Sequence, residues 1–205
     1  MRRPFKRDVD VPAAVVARAG LGRGEKVLTG ALTTDGTWLL GTRAALVVVS
    51  PEVEPAPEVE PFETLAPLAP QEPLGATSAP VETLPWERVE RADWDRDNGR
   101  LRVSEVGVYG QRRPVHVFGI DDPGLLLALV RERVTASVVL QRRVTVAGKK
   151  GFFVVGRRPP TGVGDVAFAY EFDAGVDPDD PEVRRLAEAG LQAAAEELGL
   201  GLGPI

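Results

Sequence analysis

The sequence predicts an α+β protein in which antiparallel strands are covered by amphipathic helices. Turn signals at Asp35-Gly36 and Asp97-Asn98-Gly99 separate short runs rich in Val, Leu and Thr, which is typical of β-hairpins. Residues 126–137 and 183–198 instead carry apolar side chains at helical spacing, each run shortly after an aspartate-proline pair. A chain of 205 residues with these patterns can bury a real core, as one domain or two small ones.

Residues 1–24 are predicted to form a short helix and a connector. Asp10 and Pro12 precede an alanine- and valine-rich run, and Gly20 follows it as a stop signal. Residues 20–24 are glycine-rich, but a phosphate cradle needs a strand before it and a helix after it. The order here is the reverse, so we expect a connecting loop.

Residues 25–50 are predicted to form two or three antiparallel strands on either side of the Asp35-Gly36 turn. Between Ala44 and Val49 both alternating faces are apolar, as in a strand that is covered on both sides. We expect this strand to be central in its sheet.

Proline and glutamate dominate residues 51–84, where we predict a disordered insertion. Nine of the 18 prolines fall between Pro51 and Pro85, and residues 51–84 carry seven Glu and no Lys or Arg. Neither a helix nor a central strand continues through such proline density. A docking segment for a partner is the alternative interpretation.

Residues 85–140 are predicted to complete a first domain that spans residues 25–140. A hairpin is expected around Asp97-Asn98-Gly99, followed by a strand at Pro114 to Gly119 and a helix opened by Asp121-Asp122-Pro123. The helix should bury one stripe, which consists of Leu126, Leu129, Val130, Val134 and Ser137.

Residues 141–205 are predicted to form three strands and a helix. The strands are expected at Arg143 to Ala147, Phe152 to Arg157 and Val166 to Phe172. In the third strand the core-facing residues alternate, and they are Val166, Phe168, Tyr170 and Phe172. The last helix should begin at Asp180-Pro181-Glu182 and end at Gly199.

In the order of its elements, residues 25–140 resemble a bacterial PH-like domain, an antiparallel β-barrel or sheet capped by a helix. The stretch Leu84-Pro85-Trp86-Glu87-Arg88-Val89-Glu90-Arg91-Ala92-Asp93-Trp94-Asp95 and the segment from Leu126 to Val139 are also similar to an uncharacterised family of actinobacterial proteins. The resemblance implies a module that binds lipid head groups, peptides or proteins, or that acts as a scaffold. It assigns no active-site residue, and the C-terminal three-strand plus helix extension lies outside it.

Composition excludes several kinds of chemistry and favours a cytoplasmic location. The chain has no cysteine, which rules out disulfides, thiolate metal sites and thiol nucleophiles. Asp8 and Asp10 interrupt the basic start where a secretory signal needs an apolar run. The longest apolar stretches are far shorter than the roughly 20 residues that span a bilayer, so we expect no integral membrane segment.

Two segments have the composition of catalytic or metal sites but lack the remaining residues that such sites need. Asp93-Trp94-Asp95-Arg96-Asp97 begins like a calcium loop, yet Asn98 stands where the bend needs glycine and Ser104 stands where a closing Glu is needed. His116 is the single histidine, and no acid or nucleophile is near it in the sequence. We therefore expect no enzyme activity, no cofactor and no metal.

The strongest candidate ligand site is a predicted hairpin, here called the basic hairpin, with three basic pairs. Its residues are Arg142, Arg143, Lys149, Lys150, Arg157 and Arg158. The hairpin could hold phosphate or an anionic head group, pair internally with the acidic C-terminal helix, or simply be a charged strand edge in solvent. Nucleic acid is disfavoured because the isoelectric point is about 5.1.

These observations favour a non-enzymatic binding or accessory module with a protein partner. A peripheral anion or lipid-head-group binder, and an enzyme whose site is not visible in the sequence, are the alternatives.

Overall fold

The computed structural model describes residues 10–51, 81–107 and 113–201, and in these residues the fold is α+β with antiparallel sheets. The α-helices are α1 (Ala13–Arg18), α2 (Leu126–Ser137) and α3 (Pro181–Glu197). The strands are β1 (Thr29–Leu32), β2 (Trp38–Gly41), β3 (Ala45–Val49), β4 (Val81–Pro85), β5 (Val89–Asp95), β6 (Arg100–Glu105), β7 (Val115–Gly119), β8 (Val138–Ala147), β9 (Lys150–Arg157) and β10 (Ala167–Phe172). A 3-10 turn, Trp86–Arg88, connects β4 to β5.

The first sheet has the order β1-β2-β3-β4, with every neighbour antiparallel. The prediction of a central strand is confirmed, because β3 lies between β2 and β4 and all five of its residues are buried. One face of this sheet packs on α1 and the other faces the second sheet, which explains why both faces of β3 are apolar.

The predicted disordered insertion at residues 51–84 is wrong at its C-terminal end. Residues 81–84 belong to β4, where Leu84 pairs with Leu46 and is buried. Pro85 is tolerated because it ends a strand at the edge of the sheet, where a missing N–H group does little harm. The rest of the predicted insertion, residues 52–80, lies outside the described residues.

The second sheet has the order β5-β6-β7, and the predicted hairpin between β5 and β6 is confirmed. The predicted start of the following helix is wrong: α2 begins at Leu126 and has no side-chain cap. Asp122 instead accepts a hydrogen bond from the Gly124 N–H at 3.0 Å, so its carboxylate closes a local turn before the helix. The predicted stripe is confirmed at four buried positions, with Val134 partly buried beside them.

One apolar core lies between the two sheets and α2. Its fully buried members include Leu39, Trp86, Leu101, Val103, Ile120 and Leu126. The Trp86 indole N–H donates to the Thr42 carbonyl at 3.2 Å, so the largest buried side chain has its polar atom satisfied. Of the two predicted alternatives, barrel or sheet, the described strands form separate sheets without a closed barrel.

The C-terminal extension is a three-stranded sheet of order β10-β9-β8 covered by α3. The predicted cap of α3 is confirmed, because the Asp180 carboxylate accepts from the Glu182 N–H at 2.8 Å. Phe168, Tyr170 and Phe172 pack against the extension's core but are only half-buried, since β10 is an edge strand. Strand β8 starts at Val138, directly after α2 and five residues earlier than predicted.

Among the described residues, no helix is both long enough and apolar enough to cross a lipid bilayer.

Candidate functional site

The structure does not gather the six residues of the basic hairpin into one patch. Lys149 and Lys150 lie exposed at the tip, where β8 turns into β9. Arg142 stands further along β8 and donates to Glu197 of α3 at 3.2 Å. Arg157 and Arg158 lie at the far end of β9, where Arg157 pairs with Val138 rather than with Arg142.

Arg143 is held by an acidic partner from the loop after β10. Its guanidinium binds both carboxylate oxygens of Asp173, with Nη1 to Oδ1 at 3.0 Å, and it lies 4.7 Å above the Phe153 ring. The hydrogen bond from Arg143, together with one from the Gly151 N–H, holds the pKa of the Asp173 carboxyl below its ordinary value. This cation therefore already has the anion that an external ligand would supply.

Arg157 is a structural residue, because only 4% of its surface is exposed and its guanidinium contacts the second sheet. Nη1 donates to the Val89 carbonyl at 3.0 Å and to the Ser137 hydroxyl at 3.1 Å, and Nη2 donates to the Glu90 carbonyl at 3.1 Å. Burial lowers the pKa of Arg157, and the carboxylates of Glu171 and Glu90 oppose that shift. The side chain joins the C-terminal sheet to β5 and is not available to a ligand.

The calcium-like stretch is a hairpin turn, as expected. Asp95 Oδ1 accepts from the N–H groups of Asp97 and Asn98 at 3.1 and 3.2 Å, and the Asn98 amide donates to Oδ2 at 2.7 Å. These bonds lower the pKa of Asp95, the Asn98 side-chain bond most of all. The Asp95 carboxylate thus already accepts hydrogen bonds from residues of the turn.

His116 lies between two glutamates that are 11 and 34 residues away from it in the sequence. Its Nε2 is 2.9 Å from Glu105 Oε1, and its Nδ1 is 3.8 Å from Glu82 Oε2. Arg88 reaches the other oxygen of Glu105 at 3.5 Å. We call Glu82, Glu105 and His116 the Glu-His-Glu cluster; one ligand atom from each lies within 4.8 Å of the others.

All three members of the cluster occupy core-facing positions of their strands. Glu105 follows Val103 by two residues on β6, and Glu82 precedes Leu84 by two residues on β4. His116 likewise precedes Phe118, which packs against the same core. Since side chains alternate along a strand, each member shares a face with an apolar core residue, and the cluster ends the inter-sheet core with polar groups.

The alternation of side chains along the strands is the sequence feature from which this cluster could have been predicted. Each of the three strands carries one ionisable residue in register with its buried apolar row, which is the position where such residues are least expected. A cavity of about 300 Å³ lies beside the cluster and is lined by Glu82 and His116 together with Asp35, Thr37, Val48, Ser50, Val117 and Phe118.

A second concave feature, here called the β5 groove, lies between β5 and α2. Its volume is about 510 Å³, and half-buried apolar side chains line it: Ala92, Trp94, Leu127 and Val134. Charged residues flank these side chains, with Arg91 and Asp93 paired to each other at 2.7 Å and Arg131 exposed on the helix.

Strand β5 forms one edge of the second sheet, because it pairs only with β6 among the described strands. Arg157 occupies the carbonyls of Val89 and Glu90 at one end of this edge. Residues 91–95 remain beside the groove with no strand on their outer side in the described part of the chain. The groove thus combines an unpaired strand edge with an apolar floor.

Comparison of the chain with protein-family models, with curated proteins and with solved structures gives no match. No relative therefore assigns a function to the cluster or to the groove.

Proposed function

We propose that this chain is a non-enzymatic, PH-like binding module that takes an extended segment of a partner protein into the β5 groove. The observation that carries the proposal is the unpaired edge of β5 over residues 91–95, which lies next to half-buried apolar residues of α2. An extended peptide can add a strand to such an edge, so that main-chain hydrogen bonds give affinity and alternate side chains give specificity.

The element order supports the PH-like part of the proposal. Four antiparallel strands, then three, then one amphipathic helix share a single core in residues 29–137. Strand β5 and helix α2 therefore form two walls whose spacing is fixed by buried side chains, notably Leu101 and Val130. A preformed groove of this kind loses little entropy when a ligand binds.

The side chains of the β5 groove favour a particular kind of peptide. Trp94, Leu127 and Val134 offer apolar surface to side chains on one face of an added strand. Arg131 makes no ion pair with any described residue, and it is exposed at the rim. We therefore expect a segment with alternating apolar residues and a carboxylate that reaches Arg131.

The contacts support the anion-binding alternative less well. Arg142 and Arg143 are paired with Glu197 and Asp173, and Arg157 is buried. Lys149 and Lys150 remain, and both are exposed at the tip of the basic hairpin. Two neighbouring lysines give a weak anion site at physiological ionic strength.

Selection of random 12-residue peptides on the full-length chain tests the proposal, followed by calorimetric titration of the enriched peptides. Thr135 is exposed on α2 and lines the groove, so Thr135→Arg should block entry without disturbing the core. We expect this variant to weaken peptide binding at least about tenfold, which is about 1.4 kcal/mol.

Ala136→Arg is the matched control, because residue 136 is the next exposed position on α2 and does not line the groove. Its affinity should stay within about twofold of the parent. Enriched peptides that bind Thr135→Arg as tightly as the parent, or a selection that enriches nothing, would contradict the proposal.

A further inference from the structure

We propose that the Glu-His-Glu cluster is a site for a divalent first-row transition metal ion, with Zn²⁺ as the best-suited probe. One nitrogen of His116 and one oxygen each of Glu82 and Glu105 would be its protein ligands. The site is separate from the β5 groove, because none of its residues lines that groove.

The donor set indicates the class of metal. One imidazole and two carboxylates suit Zn²⁺ and its neighbours, whereas Mg²⁺ and Ca²⁺ prefer oxygen ligands alone. Three protein ligands leave one tetrahedral position open, and the cavity of about 300 Å³ beside Glu82 and His116 has room for a water molecule or a small ligand there.

The cluster needs only a small adjustment to hold an ion. Ligand atoms around a tetrahedral Zn²⁺ are about 3.4 Å apart, and one nitrogen of His116 and one oxygen of each glutamate lie within 4.8 Å of one another. Glu105 is close to Nε2, at 2.9 Å, whereas Glu82 is close to Nδ1, at 3.8 Å, so an ion on Nε2 requires Glu82 to move toward it by a shift on the order of 1 Å. The Glu82 side chain, 40% exposed, is free to make that shift.

The two carboxylates set the charge of the site. Glu82 and Glu105 both approach the His116 ring, at 3.8 Å and 2.9 Å. Ionised carboxylates only accept hydrogen bonds, so they repel each other unless a cation lies between them. A divalent cation would bind one imidazole nitrogen and neutralise both carboxylates.

The present counter-charge near Glu105 is a poor substitute for a metal. The Glu105 side chain is only 10% exposed, whereas its arginine partner Arg88 is 68% exposed and lies 3.5 Å away. Such a solvated pair gives little stabilisation to a carboxylate that faces the core. Arg88 has room to move away when an ion binds.

The composition of the chain makes the test unusually specific. His116 is the only histidine and cysteine is absent, so any imidazole signal reports this site, provided that the protein carries no histidine tag. Metal-free protein is titrated with ZnCl₂ while the ¹⁵N resonances of the imidazole are recorded and the heat is measured by calorimetry. We expect saturation at one equivalent, together with a shift of one imidazole nitrogen.

Glu105→Gln and Glu82→Gln should each weaken Zn²⁺ binding by about tenfold to 100-fold or more, since even the loss of an outer-shell partner costs that much. Glu90→Gln is the matched control: its side chain is 15% exposed, it lies on the same sheet, and it pairs with Arg113 outside the cluster. Circular dichroism of each variant verifies the fold.

Two results would overturn the proposal. The first is an imidazole spectrum unchanged by one equivalent of Zn²⁺, which would leave the cluster as a group of polar side chains that binds no metal. The second is folded Glu82→Gln and Glu105→Gln variants that bind Zn²⁺ as tightly as Glu90→Gln does, which would place the ion elsewhere.

Discussion

Replacement of Arg157 by methionine tests whether this buried side chain joins the C-terminal extension to the second sheet. The substitution keeps an unbranched side chain of similar reach but removes the donors to the carbonyls of Val89 and Glu90. It also removes the donor to the Ser137 hydroxyl. The perturbation is therefore the loss of polar contacts with little loss of packing volume.

The size of the effect follows from the acceptors that remain buried. An unsatisfied buried carbonyl costs about 1–3 kcal/mol, so the two carbonyls cost about 2–6 kcal/mol. Removal of a buried charge recovers part of its desolvation cost, and measured losses for broken buried pairs are about 3–5 kcal/mol. We expect Arg157→Met to lower the free energy of unfolding by about 3 kcal/mol.

Urea unfolding followed by circular dichroism measures this loss, and thermal unfolding should show a decrease of roughly 6–12 °C in Tm for a protein of this size. Arg142→Met is the matched control, because the Arg142 and Glu197 side chains are 45% and 57% exposed. It should cost less than about 1 kcal/mol. A loss below about 1 kcal/mol for Arg157→Met would refute the structural role.

Three further predictions follow from the C-terminal extension. Gly151→Ala should cost about 3 kcal/mol or more in urea unfolding, because an added Cβ would overlap the Val144 carbonyl of the paired strand, and near-parent stability would contradict this packing. Replacing both Lys149 and Lys150 with Ala should change stability by less than about 0.5 kcal/mol, and a larger loss would mean that the tip is packed. Asp173→Asn should destabilise the protein at neutral pH but not in acid: the folded-state pKa lies below 3.8, so the contribution is present above that value and is lost as pH falls through the lowered pKa. Equal destabilisation of the asparagine variant at both pH values would contradict the proposed ion pair.

The sequence predicted those elements whose signals come from residues close together in the chain. The all-apolar run of β3 indicated a strand covered on both faces, and Asp180-Pro181-Glu182 indicated the start of a helix. The same reasoning failed at Asp122, where a local turn competes for the same carboxylate that could cap α2.

The features that the sequence did not predict depend on packing between elements that are distant in the sequence. Arg157 and Arg158 form one basic pair in the sequence, yet Arg157 ends β9 with its guanidinium buried against β5, whereas Arg158 lies beyond the strand. The residues of the Glu-His-Glu cluster are separated by up to 34 positions in the sequence. Glu82 lies close to His116 because β4 packs against the second sheet, and no pattern of neighbouring residues predicts that packing.

The β5 groove could not be predicted for a related reason. The alternation of β5 predicted a strand, but its position at a sheet edge depends on which strands pair. The sequence therefore predicted a protein-binding module without indicating which surface binds the partner. In the structure the β5 groove, beside Trp94 and α2, is the candidate surface.

Amide hydrogen exchange of the full-length chain, with and without a selected peptide, tests the proposed function most directly. Strand addition to β5 predicts that bound peptide slows exchange in residues 91–95 and in α2, because edge amides gain hydrogen-bond partners there. The basic hairpin at residues 142–158 should exchange as it does in the free protein. Protection confined to that hairpin, with exchange in residues 91–95 unchanged, would contradict the proposal and indicate that the basic hairpin binds the ligand.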